Sequence, residues 1–268
     1  MDAPRARDRR ARWADRARRA GAVALEAMAP TRCAGCERPG ALICPRCLAE
    51  LTPIDPGHAC ARCGAPFGDL LCTECGHGGE PPGATVPAAG GADSVPAPDR
   101  CLAAAVFEGP LPRIIHAYKD AGERRLAPLL AELMADAALH AEEAAPGRFG
   151  GIVRGADAVT FVPATAAAFA RRGFDHMEEI ARSFSCLTGV PYLDALAKRG
   201  ASDQRALGRE ERARSAHGAY VPVADVAGMR LLLLDDVVTT GSTVRAAASS
   251  LASAGAAHID ALALARVW

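Results

Sequence analysis

From residue 101 onward, short apolar runs alternate with segments whose apolar residues recur at helical spacing. This alternation predicts an α/β fold in which helices flank a parallel sheet. The run at 231–234 is continuously apolar, which is typical of a strand covered on both faces. Strands are predicted at 101–109, 158–162, 230–236 and 258–267, helices at 111–122, 125–144, 176–189 and 244–256, and a loop at 163–175.

A change of composition divides the chain into domains. Residues 76–100 are rich in Gly, Pro and Ala, which is typical of a flexible linker. The N-terminal stretch carries many arginines with interspersed acids. We expect it to be a solvated leader with helical character, and contact with nucleic acid or an anionic surface is the alternative. The predicted organisation is a leader at 1–30, a Cys-rich region at 31–78, a linker at 79–100 and an α/β domain at 101–268.

Charge and composition argue against several classes of partner. The 31 basic and 31 acidic residues cancel, so no net field favours nucleic acid, a membrane surface or an acidic substrate. Aromatic residues make up 4% of the chain, which leaves few platforms for stacking bases. No apolar stretch has the length of a membrane span, and no export signal is visible. We therefore expect a cytoplasmic protein without a membrane span.

Eight of the ten cysteines form four C-x-x-C pairs. Each pair places two thiolates on one side of a tight turn, and two such turns make the tetrahedral sulfur cage that zinc favours. The pairs lie within residues 33–75, a segment too short to bury much core without a metal. The sequence predicts two structural zinc ions, held by Cys33, Cys36, Cys44, Cys47, Cys60, Cys63, Cys72 and Cys75.

Other uses of these cysteines stay open at this point. Disulfides need an oxidising compartment, a redox C-x-x-C is normally single, and a four-thiolate cage also suits an iron–sulfur cluster. The four pairs can combine in sequential order or interleave. Cys101 and Cys186 stand outside the pairs, and we expect both to be ordinary buried thiols.

The strand at 230–236 ends in two adjacent acids, Asp235 and Asp236. Like charges side by side resist burial, so a purely structural role explains them poorly. The turn after them offers hydroxyl groups directly before a helix, whose free N–H groups favour an anion. Ionised carboxylates accept hydrogen bonds from a vicinal diol, and the stretch therefore fits a ribose 5-phosphate. The turn consists of Thr239, Thr240, Gly241, Ser242 and Thr243, and we call it the hydroxyl loop.

The stretch LLLLDDVVTTGST resembles the signature of type I phosphoribosyltransferases. With HAYKDAG at 116–122, RRGFDH at 171–176, SDQRAL at 202–207 and the Cys-rich region, the chain resembles the ComF family of competence-associated phosphoribosyltransferase-like proteins. The resemblance covers nearly the whole chain from about Cys33 onward. It implies an N-terminal double zinc ribbon, followed by a type I phosphoribosyltransferase fold that binds phosphoribosyl pyrophosphate.

The resemblance also implies roles for particular residues. Asp235 and Asp236 match the acid pair that holds the ribose hydroxyls, and they are the candidate catalytic residues. The hydroxyl loop matches the loop that holds the 5-phosphate. Magnesium would accompany the pyrophosphate. Arg171 and Arg172 match the loop that holds pyrophosphate, Lys119 matches a family lysine, and Gln204 and Arg212 match family positions without a derived role.

The chain departs from the family pattern next to the arginines. Asp175 and His176 stand where the family usually has Asn and Gln. The phosphate and ribose positions match the family, whereas the pyrophosphate or acceptor side is altered.

Two functions follow from these residues. In the first, the protein is a phosphoribosyltransferase, and a nucleophile displaces pyrophosphate from C1 of the ribose in a site that supplies position and electrostatics. In the second, the same site binds phosphoribosyl pyrophosphate without turnover. The ribbons or the leader would then hold a partner, such as single-stranded DNA or a protein of the competence machinery.

Overall fold

The computed structural model describes residues 30–67, 72, 75, 98–199 and 219–268. Residues 1–29 of the predicted leader, most of the predicted linker, Gln204 and Arg212 lie outside these residues. The chain divides into two compact units between residues 50 and 51. The domain boundaries drawn from composition stay predictions.

The second unit is built on four parallel strands, which confirms the predicted sheet. They are β1 (Arg100–Val106), β2 (Ala158–Phe161), β5 (Arg230–Val238) and β6 (His258–Arg266), in the spatial order β1-β6-β5-β2. The central strands are buried almost throughout, because helices cover the sheet. A short antiparallel pair, β3 (Leu196–Lys198) and β4 (Tyr220–Pro222), was not predicted from the sequence.

The helices follow the predicted alternation. A short helix, α1 (Pro45–Ala49), belongs to the first unit. In the second unit, the helix Ala127–Ala144 packs against the helix His176–Thr188 and on β1 and β6, whereas the helix Ser242–Ser253 packs on β4, β5 and β6. Among the described residues, no helix has both the length and the apolar character needed to cross a membrane. The second unit contains α2 (Leu111–Lys119), α3 (Ala127–Ala144), α4 (Pro146–Phe149), α5 (Ala166–Arg172), α6 (His176–Thr188) and α7 (Ser242–Ser253), with a 3₁₀ turn at Arg124–Leu126.

One predicted loop is a helix in the structure. Residues 163–175 contain α5, which begins when the Thr165 hydroxyl accepts a hydrogen bond from the Ala168 N–H at 3.1 Å. It ends at Gly173, whose φ of 77° gives the left-handed cap that glycine adopts without strain. The prediction missed this helix because three alanines carry no amphipathic pattern, although they favour a helix.

The outer edge of β1 is covered by residues 52–61. Ile54 donates its N–H to the Ala104 carbonyl at 3.1 Å, and the N–H groups of Cys101 and Val106 donate to the carbonyls of Ala61 and Thr52. An edge strand normally leaves these groups unpaired. The segment that carries the second pair of C-x-x-C turns is therefore hydrogen-bonded to the sheet.

Candidate functional site

The two acids lie inside β5, because the strand continues two residues past Asp236 to Val238. Successive strand residues point to opposite faces, so the two side chains separate. Both residues are buried, with 6% of Asp235 and 8% of Asp236 exposed. The Asp236 N–H donates to the Asp235 carboxylate at 2.9 Å.

Asp236 is held by two partners from different helices. Lys119, the last residue of α2, forms an ion pair with its carboxylate. His176, the first residue of α6, places Nε2 3.1 Å from the same carboxylate oxygen. A buried carboxylate needs such compensation, since burial without a partner costs several kcal/mol.

The surroundings of the two acids give them different pKa values. Burial, together with the charge of Asp236, raises the pKa of Asp235 to about 8. Burial also opposes ionisation of Asp236, but the hydrogen bond from His176 and the charge of Lys119 hold the pKa of Asp236 below its ordinary value. At neutral pH the pair therefore carries about one negative charge. Burial and the charge of Asp236 both oppose ionisation of Asp235, and the role of the pair as acceptors for the ribose hydroxyls stays a prediction.

The hydroxyl loop leaves β5 and opens α7. Gly241 has a φ of 72°, a left-handed conformation that turns the chain into the helix. The Thr240 hydroxyl lies 3.1 Å from the Ser242 hydroxyl, and both side chains are exposed. Thr239 and Thr243 are exposed as well. The Ser242 N–H donates to the Thr240 hydroxyl at 3.4 Å. Several exposed hydroxyls thus lie together at the start of a helix, which is a favourable place for an anion.

The sequence placed Arg171 and Arg172 in a loop, but both lie in the last turn of α5. The side chain of Arg172 is 9% exposed, and its guanidinium donates a hydrogen bond to the Asp120 carboxylate at 3.0 Å. Arg171 is 66% exposed, and its guanidinium lies 3.8 Å from Asp120. The structure therefore brings Arg172 into the polar network and leaves Arg171 largely in solvent.

His176 connects this network to the acid pair. Its Nδ1 lies 3.3 Å from Nη1 of Arg172, while its Nε2 faces Asp236. A guanidinium only donates hydrogen bonds, so Nδ1 accepts and Nε2 carries the proton that is donated to Asp236. The order of contacts is Asp236, His176, Arg172, Asp120. Sequence reasoning missed the roles of His176 and Asp120, although His176 was noted as a departure from the family pattern.

Asp175, the other departure, has a structural role. Its carboxylate accepts from the N–H groups of Met177 at 2.9 Å and Glu178 at 3.4 Å, and so it caps α6. It also accepts from the Ala164 N–H at 2.7 Å. Asp175 thereby fixes the start of α6, and with it His176, against the segment that follows β2.

The cysteines form two clusters in sequential pairing, which excludes the interleaved arrangement. Within each cluster the sulfur atoms lie within 4.8 Å of one another, and the structure contains no disulfide among the described cysteines. A tetrahedral zinc site, with sulfur at ~2.3 Å from the metal, needs sulfur–sulfur distances of about 3.8 Å. Four buried or half-buried thiols at this spacing fit zinc, and the clusters are Cys33, Cys36, Cys44 and Cys47, then Cys60, Cys63, Cys72 and Cys75.

The two remaining cysteines differ in exposure. Cys101 is buried as expected, and burial raises the pKa of its thiol to about 12. Cys186 is exposed, so the expectation of a buried thiol is wrong for this residue. It lies on α6, outside the apolar face that Ile180 and Phe184 bury.

Comparison with known proteins finds matches to two domain families. Residues 163–267 match the phosphoribosyl transferase domain family, and residues 24–77 match the double zinc ribbon domain family. The chain is 29% identical over 105 residues to the competence protein ComFC of Streptococcus pneumoniae, covering 39% of this chain and 46% of that protein. It is 25% identical over 248 residues to the DNA utilization protein YhgH of Salmonella typhi, covering 88% of this chain and 97% of that protein.

A solved structure described as the allosteric regulatory enzyme of purine biosynthesis is 23% identical and covers 51% of this chain and 25% of its own, with a TM-score of 0.33. The domain matches define a protein that joins a double zinc ribbon to a phosphoribosyl transferase domain. The similarity to ComFC and YhgH confirms, at low identity, the predicted relationship to the ComF family.

Proposed function

We propose that this protein binds phosphoribosyl pyrophosphate and transfers its phosphoribosyl group to an acceptor. The observation that carries the proposal is the continuous order of Asp235, Asp236, the hydroxyl loop and α7 in a domain of the phosphoribosyl transferase family. The loop offers exposed hydroxyls and the N-terminus of α7 to the 5-phosphate. In this proposal, Asp235 and Asp236, which precede the loop in the sequence, hold the ribose hydroxyls.

Arg172 supports a pyrophosphate site at the other end of the network. Its Nε is buried and has no hydrogen-bond partner among the described residues. A buried donor without a partner costs about 1–3 kcal/mol, which a phosphate oxygen would recover. Arginine pairs phosphate oxygens in a bidentate manner, and Lys119 next to Asp236 adds a second positive charge.

In the proposed reaction, the C1–oxygen bond to pyrophosphate breaks with its electron pair on the leaving group. The acceptor nucleophile bonds to C1 through its lone pair and releases its proton to solvent. Arg172 and Lys119 stabilise the charge that develops on the leaving pyrophosphate. Asp236 holds the ribose hydroxyls, which requires that Lys119 yields part of its ion pair. Magnesium would supply charge neutralisation to the pyrophosphate. The carboxylate oxygens of Asp236 are of the hard type that this ion prefers.

The names of the relatives favour a second candidate function. ComFC is a competence protein and YhgH is a DNA utilization protein. In this alternative, the site binds phosphoribosyl pyrophosphate without turnover, and the chain acts in DNA uptake with single-stranded DNA or the competence machinery as partner. Cysteines that bind zinc and form no disulfide are typical of a reducing compartment, so in this proposal either function is exercised in the cytoplasm.

One experiment separates the two candidates. Equilibrium binding of phosphoribosyl pyrophosphate is measured beside pyrophosphate release in the presence of magnesium, with nucleobases and ammonia as acceptors. Binding together with release supports the transferase. Binding without release across these acceptors supports the module, and absence of binding contradicts both.

A further inference from the structure

A cavity of about 290 Å³ lies beside the hydroxyl loop, within the second unit. One wall is the second cysteine cluster, and another is the start of α7. Thr240 and Gly241 of the hydroxyl loop line it, whereas Asp235, Asp236, Lys119, Arg171 and Arg172 do not. Among the residues that the structure describes, its lining consists of Arg62, Cys63, Cys75, Pro98, Cys101, Val238, Thr240, Gly241, Val244, Arg245 and Arg266.

The charge of this cavity is one-sided. Its described lining contains three arginines, Arg62, Arg245 and Arg266, and neither aspartate nor glutamate. Guanidinium groups repel one another unless an anion lies among them. The cavity is therefore suited to a negatively charged group, although the net charge of the whole chain is zero.

Arg266 fixes the frame of the cavity. It is 5% exposed, and it donates from Nε to the Cys63 carbonyl at 3.1 Å and from Nη1 to the Val238 carbonyl at 3.4 Å. One side chain thus joins a cysteine turn to the end of β5, where the hydroxyl loop begins. The position of the second cysteine cluster and the position of the loop are coupled through it.

Arg62 and Arg245 line the cavity and are both exposed to solvent. Arg245 donates from Nη2 to the Thr240 carbonyl at 2.7 Å, and neither arginine forms an ion pair with a carboxylate in the described part of the chain. Both guanidinium groups can therefore turn toward a ligand at small cost, because a hydrogen bond between exposed groups is worth only about 1 kcal/mol.

A purely structural explanation competes with this one. Four thiolates and one zinc ion carry a net charge of about −2, and nearby arginines would balance it. That explanation accounts for Arg62 and Arg266, which lie at the cysteine turns. It accounts poorly for Arg245, because its hydrogen bond is directed at the hydroxyl loop.

We propose that this cavity is a second anion site, distinct from the sugar and pyrophosphate residues, and that it binds a phosphomonoester. Its volume exceeds what a phosphate group alone needs, which leaves room for a small organic group. Binding would draw Arg245 away from the Thr240 carbonyl and so alter the hydroxyl loop. The second cysteine cluster would then act as one wall of a ligand site in addition to stabilising the fold.

The test uses the full-length, zinc-loaded protein and inorganic phosphate as the probe. Phosphate binding is measured by calorimetry, first without ribose 5-phosphate and then at a saturating concentration of it. Ribose 5-phosphate occupies the hydroxyl loop if the proposed function is correct. Phosphate should still bind beside ribose 5-phosphate. Arg62→Gln with Arg245→Gln should weaken this binding at least tenfold, whereas Arg113→Gln, at an exposed arginine of α2, should leave it unchanged.

The outcomes separate the two explanations. Unchanged phosphate binding in the double variant overturns the second site. So does complete displacement of phosphate by ribose 5-phosphate. Loss of one zinc equivalent from the double variant, with no phosphate bound by the unsubstituted protein, shows that the arginines serve the zinc charge instead. If ribose 5-phosphate fails to bind while phosphate binding still depends on Arg62, the proposed function fails and the second site stands.

Discussion

The imidazole of His176 joins the acid pair to the basic end of the site, with Nε2 3.1 Å from the Asp236 carboxylate. On its other side it meets Arg172, and Asp175 lies 3.8 Å from Nδ1. A change at His176 therefore reaches both the residue proposed to hold the sugar and the residue proposed to hold pyrophosphate.

Two replacements of His176 test whether its hydrogen bond to Asp236, and not only the volume of its side chain, supports ligand binding. His176→Ala removes the hydrogen bond to Asp236, and we expect phosphoribosyl pyrophosphate to bind about tenfold more weakly, since a hydrogen bond to a charged group is worth about 1.5–3 kcal/mol. His176→Gln retains an N–H donor and should recover most of the affinity. In His176→Ala the weakening of binding in acid should begin at a higher pH, because Asp236 then protonates more easily.

Calorimetry between pH 4 and 8 measures both effects, with His140→Ala on the exposed side of α3 as the control. Equal affinity and an equal pH profile in His176→Ala and the unsubstituted protein would contradict the positioning role.

The two acids should differ when replaced singly at pH 7. Asp236→Asn removes the ionised partner of the ribose hydroxyls, and phosphoribosyl pyrophosphate should bind at least tenfold more weakly, which corresponds to about 1.4 kcal/mol. Asp235→Asn should change affinity less than threefold, because Asp235 is mostly protonated at this pH. Calorimetry on folded variants, checked by circular dichroism, decides the matter. A larger effect at Asp235 would show that the ionisation is assigned to the wrong acid.

The buried acid also predicts how stability depends on pH. An unfolded aspartate ionises near pH 3.9, about the value of the free side chain, whereas Asp235 in the folded protein ionises at about 8. Between these pH values the folded state holds a proton that the unfolded chain has released. The contribution of Asp235 to the free energy of unfolding is therefore full below the unfolded pKa, and it is lost as the pH rises toward 8.

Asp235→Asn should remove this loss and raise the free energy of unfolding at pH 8 by roughly 1–3 kcal/mol. Urea unfolding at pH 5 and pH 8 measures the difference, and Asp136→Asn, at an exposed position of α3, is the control. An unaltered decline from pH 5 to 8 in Asp235→Asn would assign the pH dependence to another group. Asp236 acts in the opposite direction, since its lowered pKa gives stability that is lost in acid.

The neighbouring arginines offer a matched pair of variants. Arg172→Ala should weaken phosphoribosyl pyrophosphate more than tenfold and ribose 5-phosphate less than threefold, because Arg172 is held in the network and its buried Nε has no partner among the described residues. Arg171→Ala should change neither ligand by more than threefold, since its side chain is 66% exposed. Competition binding with both ligands gives the comparison. If Arg172→Ala weakened both ligands equally, the division into two phosphate pockets would be wrong.

Zinc should occupy both cysteine clusters, and metal analysis should find two equivalents per chain. Cys60→Ser should release one equivalent and lower the unfolding temperature of the α/β unit, because residues 52–61 cover the edge of β1. Cys186→Ser, at the exposed cysteine, should retain both equivalents and the unfolding temperature. Iron in place of zinc, or a folded metal-free protein, would contradict this prediction.

The sequence by itself determined the features that are local along the chain. The acid pair, the hydroxyl loop and the start of α7 follow one another without interruption, so their proximity needs no tertiary contact. The same holds for the C-x-x-C turns, in which each pair of sulfurs is fixed by a few residues of backbone. The alternation of apolar runs and helical spacing likewise predicted a parallel sheet, because each period reflects one side-chain geometry.

Only the tertiary structure decided which distant side chains meet. Lys119 and Asp236 are 117 positions apart, and His176 and Asp236 are 60 apart, so no spacing rule connects them. Arg171 and Arg172 are adjacent and of one type, and only the packing of α5 exposes one and buries the other. The protonation of Asp235 depends on its burial and on the neighbouring charge of Asp236. Burial is the combined effect of many residues that are distant in sequence, and a sequence pattern does not show which of them surround Asp235.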